Sequence, residues 1–104
     1  MIRQFDVFSN PSRRGSEERP YVIVVQSSLL AEVETRVCVP LIAERFLKPT
    51  NRLNPLFDIK QRAVYLHPVE IATIPLRLLR SPIANLEEYR ERIIAALDLV
   101  FTGI

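Results

Sequence analysis

Tyr21-Val22-Ile23-Val24-Val25 is an unbroken run of β-branched and aromatic residues, too short for a helix and apolar at every position. A strand with one wet face alternates polar and apolar residues, so a run without alternation predicts a strand buried on both faces. Such a strand needs neighbours, and the sequence offers them in both directions. Upstream, Gln4 to Phe8 alternates, with Phe5 and Val7 on one face and Gln4 and Asp6 on the other, which predicts a half-buried strand. Ser9 to Pro20 between them is polar, carries Pro11 and Gly15, and reads as a long hairpin loop. Downstream, Arg36-Val37-Cys38-Val39-Pro40-Leu41 predicts another strand, its proline placing it at a sheet edge or a strand end. Glu44 to Leu47 suits a short helical turn. Leu56-Phe57-Asp58-Ile59 and Ala63-Val64-Tyr65-Leu66 flank Lys60-Gln61-Arg62 as a hairpin. Thr73-Ile74-Pro75-Leu76-Arg77-Leu78-Leu79 is expected to be the last strand, ended by Ser81-Pro82.

The pattern then changes period. Leu86, Tyr89, Ile93, Leu97, Val100 and Ile104 recur every three or four residues, so Leu86 to Phe101 predicts an amphipathic helix. Asn85, with Glu88 three positions on, supplies an N-cap and a capping-box partner. Ile94 and Phe101 widen the stripe beyond what one sheet face covers, which implies a second partner such as a symmetric copy. Short strands followed by one helix predict a mainly β fold: a small barrel or curled sheet with a C-terminal helix. After the helix come Thr102-Gly103-Ile104, the glycine being the residue that commonly closes a helix in the left-handed conformation. Ile104 left in water would forgo about 1.5–3 kcal/mol of burial free energy. Its cover is the chain's own core, a second copy or a target, and the pattern alone leaves these open.

With 104 residues, 48% of them hydrophobic and 25% charged, the chain is expected to be a single globular domain over 1–104 with little room for an enclosed cleft. No apolar run is long enough to cross a bilayer and Met1-Ile2-Arg3-Gln4-Phe5-Asp6 lacks a signal-peptide core, so a soluble cytoplasmic protein with no membrane role is expected. The one cysteine, Cys38, excludes an intrachain disulfide and suits a reducing compartment. A net charge of +2, with Arg13-Arg14 answered by Glu17-Glu18, fits an acidic protein partner better than a DNA groove.

Residues for catalysis are sparse. His67 precedes Pro68 in a loop, where an ordinary surface histidine is the expectation. Cys38 lies among valines and is expected to be a buried, inert thiol. One histidine and one cysteine make no zinc-type ligand set, and two glycines build no phosphate-cradling loop. No cofactor, no metal and no enzymatic activity are expected.

Three segments and the ending carry a family resemblance: Val25-Gln26-Ser27-Ser28-Leu29-Leu30, Arg36-Val37-Cys38-Val39-Pro40-Leu41, Thr73-Ile74-Pro75-Leu76 and Ile93-Ile94-Ala95-Ala96-Leu97-Asp98-Leu99-Val100-Phe101-Thr102-Gly103-Ile104. In order and spacing, nearly end to end, the chain resembles the CcdB-type toxins of bacterial toxin–antitoxin modules. The resemblance implies an SH3-like barrel with an accessory small sheet and a C-terminal helix, assembled as a homodimer. It implies a poison and not a catalyst: a protein that binds the A subunit of DNA gyrase and traps the enzyme on cleaved DNA. A cognate acidic antitoxin would neutralise it and with it repress the operon, so DNA is met only through antitoxin or gyrase.

Carried over by position, the gyrase contacts would be Thr102, Gly103 and Ile104, with Phe101 behind them and Leu29 and Leu30 flanking. Where the family pattern has tryptophan and asparagine, this chain has Thr102 and Asp98. Loss of the tryptophan removes a cation–π contact worth about 0.5–2 kcal/mol. For the antitoxin, the Ser9–Pro20 loop offers Ser9, Asn10, Arg13 and Arg14 as a docking edge for an acidic, initially disordered peptide, or it is a hairpin tip with no partner. Two other readings stand beside the poison. One is an endoribonuclease toxin on the same fold, using Arg36, Arg62 and His67. The other is a chromosomal relative that has lost poisoning and only binds antitoxin or operator.

Overall fold

A computed structural model describes residues 1–103. Its described strands form one continuous sheet that closes almost into a barrel, with one α-helix after them. In chain order they are β1 (Asp6–Ser9), β2 (Tyr21–Val24), β3 (Thr35–Ala43), β4 (Leu56–Ile59), β5 (Arg62–Leu66), β6 (Ala72–Pro75) and β7 (Ala84–Asn85), followed by α1 (Arg90–Phe101). The sheet order is β4-β5-β3-β2-β1-β7, with β6 also paired to β3. The mainly β architecture with a C-terminal helix is as the sequence predicts. The accessory small sheet is the β4–β5 hairpin mounted on the end of β3, continuous with the barrel.

The Tyr21–Val25 run is buried on both faces, as its lack of alternation requires. Ile23 and Val25 join the main core with Phe5, Val7, Val39 and Leu41, while Val22 and Val24 join a second cluster with Phe8, Cys38 and Leu79. The neighbouring strand departs from its pattern. Asp6 is buried instead of facing water, because its carboxylate accepts the Arg3 N–H at 2.8 Å and the Asn85 side-chain amide at 2.9 Å. Phe5 just before it takes φ +70°, a left-handed conformation costing about 1–2 kcal/mol, which full burial of the ring offsets.

Pro40 lies neither at an edge nor at a strand end. It sits in the middle of β3, a strand with neighbours on both sides. Along one side β3 pairs first with β6, over Thr35–Cys38, and then with β5, over Leu41–Ala43. Pro40 falls in the gap between those two partners, where its carbonyl accepts the His67 N–H at 3.1 Å and no ladder bond from its own nitrogen is required. The β4–β5 turn is Lys60-Gln61, with φ +51° and +68°, the tight hairpin geometry usually given to Asn-Gly.

Two boundaries also differ. The chain leaves β6 at Pro75 for a 3-10 turn over Leu76–Leu78, so the last strand is the short β7 and not the 73–79 segment. The Ile74–Pro75 bond is trans. The helix begins at Arg90 and not at Leu86, because Asn85 belongs to β7. Its Oδ1 accepts the Glu87 N–H at 2.8 Å ahead of a 3-10 turn, Glu87–Tyr89, that swings the chain from strand into helix; neither that turn nor α1 carries a side-chain cap, so the expected Asn85–Glu88 capping box does not form. Leu86, Ile93 and Ala96 are buried in the main core, and Ile94 and Leu97 pack against it.

Candidate functional site

The turn after β2 is built from its polar atoms outward. Ser27 Oγ accepts the Leu29 N–H at 3.1 Å and caps a single 3-10 turn, Ser28–Leu30. Ser28 Oγ accepts the Gln4 N–H at 3.1 Å. Gln26 lies beneath: its amide donates to the Leu30 carbonyl at 3.2 Å and its Oε1 accepts the Val37 N–H at 2.9 Å. Arg36 is buried and clamps the returning chain, donating to the carbonyls of Ala31 and Thr35 at 3.0 Å each and to that of Val33. With those groups turned inward, the apolar side chains are turned out: Leu29 is 94% exposed and Leu30 53%. Two adjacent leucines presented by so heavily bonded a turn form a preorganised apolar contact.

The second exposed feature is the end of α1. The Thr102 N–H donates to the Asp98 carbonyl at 2.8 Å, and the Gly103 N–H reaches those of Asp98 and Leu99 at 3.2 Å each. Gly103 has φ +75°, so the helix closes with a left-handed glycine as expected. Thr102 Oγ1 donates to the Asp98 carbonyl at 2.8 Å, which turns the hydroxyl back on the helix. Phe101 is 66% exposed, a large aromatic standing in solvent beside exposed Thr102 and Gly103. Ile104 lies outside the described residues. The Leu29 turn is tied through Gln4 to Arg90 at the start of α1, whose Nη1 donates to Gln4 Oε1 at 2.9 Å, whereas Phe101 is at the helix's other end. A helix from Arg90 to Phe101 is about 18 Å long.

Ser9, Asn10 and Arg13 are brought together on the wall of a groove of about 640 Å³, with Phe8, Pro11, Leu78, Arg80, Ser81 and Ile83 completing it. Arg14 is exposed and does not line it. Asn10 acts chiefly on the loop itself: its side-chain amide donates to the Arg19 carbonyl at 2.8 Å and its Oδ1 accepts the Ser12 N–H at 2.9 Å. Arg13 and Arg80 are both exposed and make no ion pair among the described residues. The groove therefore pairs apolar walls with two cations. Sequence reading finds the Ser9–Arg13 half and misses Leu78 and Arg80, which it assigns to a strand and its end.

The residues weighed for catalysis are engaged otherwise. Arg36 is the clamp just described. Arg62 is exposed, with one contact to the Glu17 carbonyl at 3.4 Å. His67 is more buried than a surface histidine, its Nδ1 3.4 Å from the Asn54 amide and its Nε2 3.8 Å from Glu70. Glu70 is held below the usual carboxylate range by hydrogen bonds from Arg19, whose Nε and Nη2 donate to it at 2.8 and 2.7 Å. Burial pushes the Cys38 thiol up to about 12, the mark of an unreactive sulfhydryl. Among the described residues no group of three His, Cys, Asp or Glu is placed to hold a metal, and no helix is long and apolar enough to cross a membrane.

No curated protein matches the chain. The family described as CcdB protein matches residues 4–103, almost the whole length. That span takes in the β2 turn, the barrel, the helix and Gly103. By this match the chain belongs to the CcdB family, the toxin component of toxin–antitoxin modules.

Proposed function

We propose that this protein is a toxin that binds the A subunit of DNA gyrase through its helix end and traps the gyrase–cleaved DNA complex. The observation that carries the reading is Phe101, an aromatic side chain two-thirds exposed on a helix end fixed by the Gly103 closure. An exposed aromatic on a rigid backbone binds without a large ordering cost, because little freedom is left to lose. Thr102, Gly103 and Ile104 complete the contact, and Leu29 and Leu30 provide a second apolar anchor. In a homodimer the surface occurs twice about a two-fold axis, matching a two-fold target. The protein acts by binding and not by catalysis, in the cytoplasm.

The cognate acidic antitoxin docks in the groove lined by Ser9, Asn10 and Arg13, with Arg14 beside it. Arg13 and Arg80 meet its carboxylates and Leu78 and Ile83 its apolar side chains. Bound there, it neutralises the toxin and joins it in repressing the operon. The inward-turned Thr102 hydroxyl favours one second reading, a relative that keeps antitoxin binding and has lost poisoning, since that hydroxyl already serves Asp98.

Expression in a gyrase-sensitive host tests the proposal. The intact chain arrests growth, and a variant lacking Thr102, Gly103 and Ile104 stays folded and does not. Persistent arrest by the truncated variant removes the helix end from the mechanism. Cleavage of purified RNA by the protein would replace the poison with a nuclease.

A further inference from the structure

Asn54 is buried and closes the 50–54 turn from inside. Its Oδ1 accepts the Thr50 N–H at 2.9 Å and its amide nitrogen donates to the Leu66 carbonyl at 2.8 Å. A backbone N–H only donates and a carbonyl only accepts, so these two bonds fix which end of the amide is oxygen and which is nitrogen. The same amide nitrogen lies 3.4 Å from His67 Nδ1. Nδ1 must therefore accept, and the neutral imidazole carries its proton on Nε2, which faces Glu70 Oε2 at 3.8 Å. The fold dictates the tautomer.

The ring joins two separate loops. Glu70, at the end of the 3-10 turn Pro68–Glu70, accepts two bonds from Arg19 and so ties that turn to the loop between β1 and β2. On the other side Asn54 holds a turn in which Arg52 takes φ +67°, a left-handed conformation that a non-glycine residue keeps only where its surroundings enforce it. The Leu53 and Asn54 N–H groups donate to the Thr50 carbonyl at 3.1 Å each. Thr50, Asn51, Arg52 and Asn54 wall a groove of about 650 Å³ that Glu91 and Arg92 of α1 also line. The charged groups around the ring are thus Glu70, with Arg19 and Glu18 behind it, Arg52 on the turn, and Glu91 and Arg92 on α1. From β3 comes the Pro40 carbonyl, which accepts the His67 N–H at 3.1 Å and anchors the backbone under the ring.

Protonation places a hydrogen on Nδ1, and Asn54 and the ring then face each other as two donors. Asn54 cannot turn over without giving up both the Thr50 N–H and the Leu66 carbonyl. The ring is what moves, because its new charge is drawn to the Glu70 carboxylate. We propose that His67 is a proton-operated catch: neutral, it holds Asn54 and with it the 50–54 turn; protonated, it swings to Glu70 and loosens that wall of the groove. A local change of charge is thereby read out as the mobility of a strained turn. The device does not depend on gyrase binding.

The test is nuclear magnetic resonance on the full chain, whose single histidine makes the ring signals unambiguous. At about pH 8 the ring nitrogen shifts should show the proton on Nε2 and none on Nδ1. Native-state hydrogen exchange then follows the Thr50, Leu53 and Asn54 amides, corrected for the intrinsic effect of pH. Between about pH 8 and about pH 5 their protection should fall about three- to tenfold, the range one neutral hydrogen bond supports, while the β2 and β3 amides keep theirs. His67→Gln offers an acceptor for Asn54 that does not titrate, so the three amides should stay protected at both pH values. That variant also separates His67 from Glu70, whose own titration it leaves in place. The proposal is overturned by any of three results: a proton on Nδ1 at about pH 8, protection of the three amides that is unchanged at about pH 5, or the same acid loss in His67→Gln.

Discussion

Arg36→Met tests how the Leu29 turn is held. The substitution keeps most of the aliphatic length and removes only the guanidinium, which donates to the carbonyls of Ala31, Val33 and Thr35. Hydrogen bonds from charged donors contribute about 1.5–3 kcal/mol each when desolvated. Ala31 and Val33 are exposed residues, so water replaces part of what is lost there and about 1 kcal/mol per bond is the better figure. The three together predict a loss of about 2–4 kcal/mol, within the 5–15 kcal/mol of a typical domain, so the variant still folds. Urea unfolding gives the total, and native-state hydrogen exchange locates it. The Leu30 and Val33 amides, bonded to Ser27 and Leu30 within the turn, should lose protection while the β2 and β3 amides keep theirs. A loss below about 1 kcal/mol, with Leu30 and Val33 exchanging as before, would refute the clamp.

Cys38 should make stability fall at alkaline pH. Its folded pKa is raised to about 12 from 9.0, so its contribution is intact below pH 9 and declines between about pH 9 and 12, as the unfolded thiol ionises first. The difference between wild type and Cys38→Ala in pH-dependent urea melts should therefore shrink across that window; a constant difference contradicts it. Glu70 works in the opposite direction. Its folded pKa is depressed by Arg19, so its contribution is present above the unfolded value and lost as pH falls through the folded one. The pair is partly exposed and worth about 0–1 kcal/mol, and Glu70→Gln should flatten acid denaturation by no more than that. Gly103→Ala meets no atom within 4 Å but must adopt φ +75°, so it should fray the last turn of α1 at a cost of about 1–2 kcal/mol, read from exchange of the Thr102 amide. Replacing Lys60-Gln61 by Asn-Gly, which suits positive φ at both positions, should raise stability by about 0.5–1 kcal/mol in thermal melts.

What the sequence discloses and what it hides follow from the range of the interactions. Tyr21–Val25 is legible because burial on both faces leaves its mark in five adjacent residues. The helix end is legible because a closing glycine acts on its own neighbours. Pro40 misleads because its tolerance depends on a handover between β6 and β5, strands far along the chain. Asp6 misleads because its partner Asn85 comes from the other end of the molecule. Gln26 and Arg36 look like ordinary polar residues on strands, and only the fold reveals them as the support of Leu29. The Ser9–Arg13 edge is foreseen from its charge, but the groove exists only once Leu78 and Arg80 are folded against it.

Plasmid cleavage by purified gyrase, measured with the intact protein and with a variant lacking Thr102, Gly103 and Ile104, tests the central claim most directly. Linear DNA should accumulate with the intact chain and return to the background level with the truncated one, at equal thermal stability. Equal accumulation with both, or none with either, contradicts a poison that acts through the end of its helix.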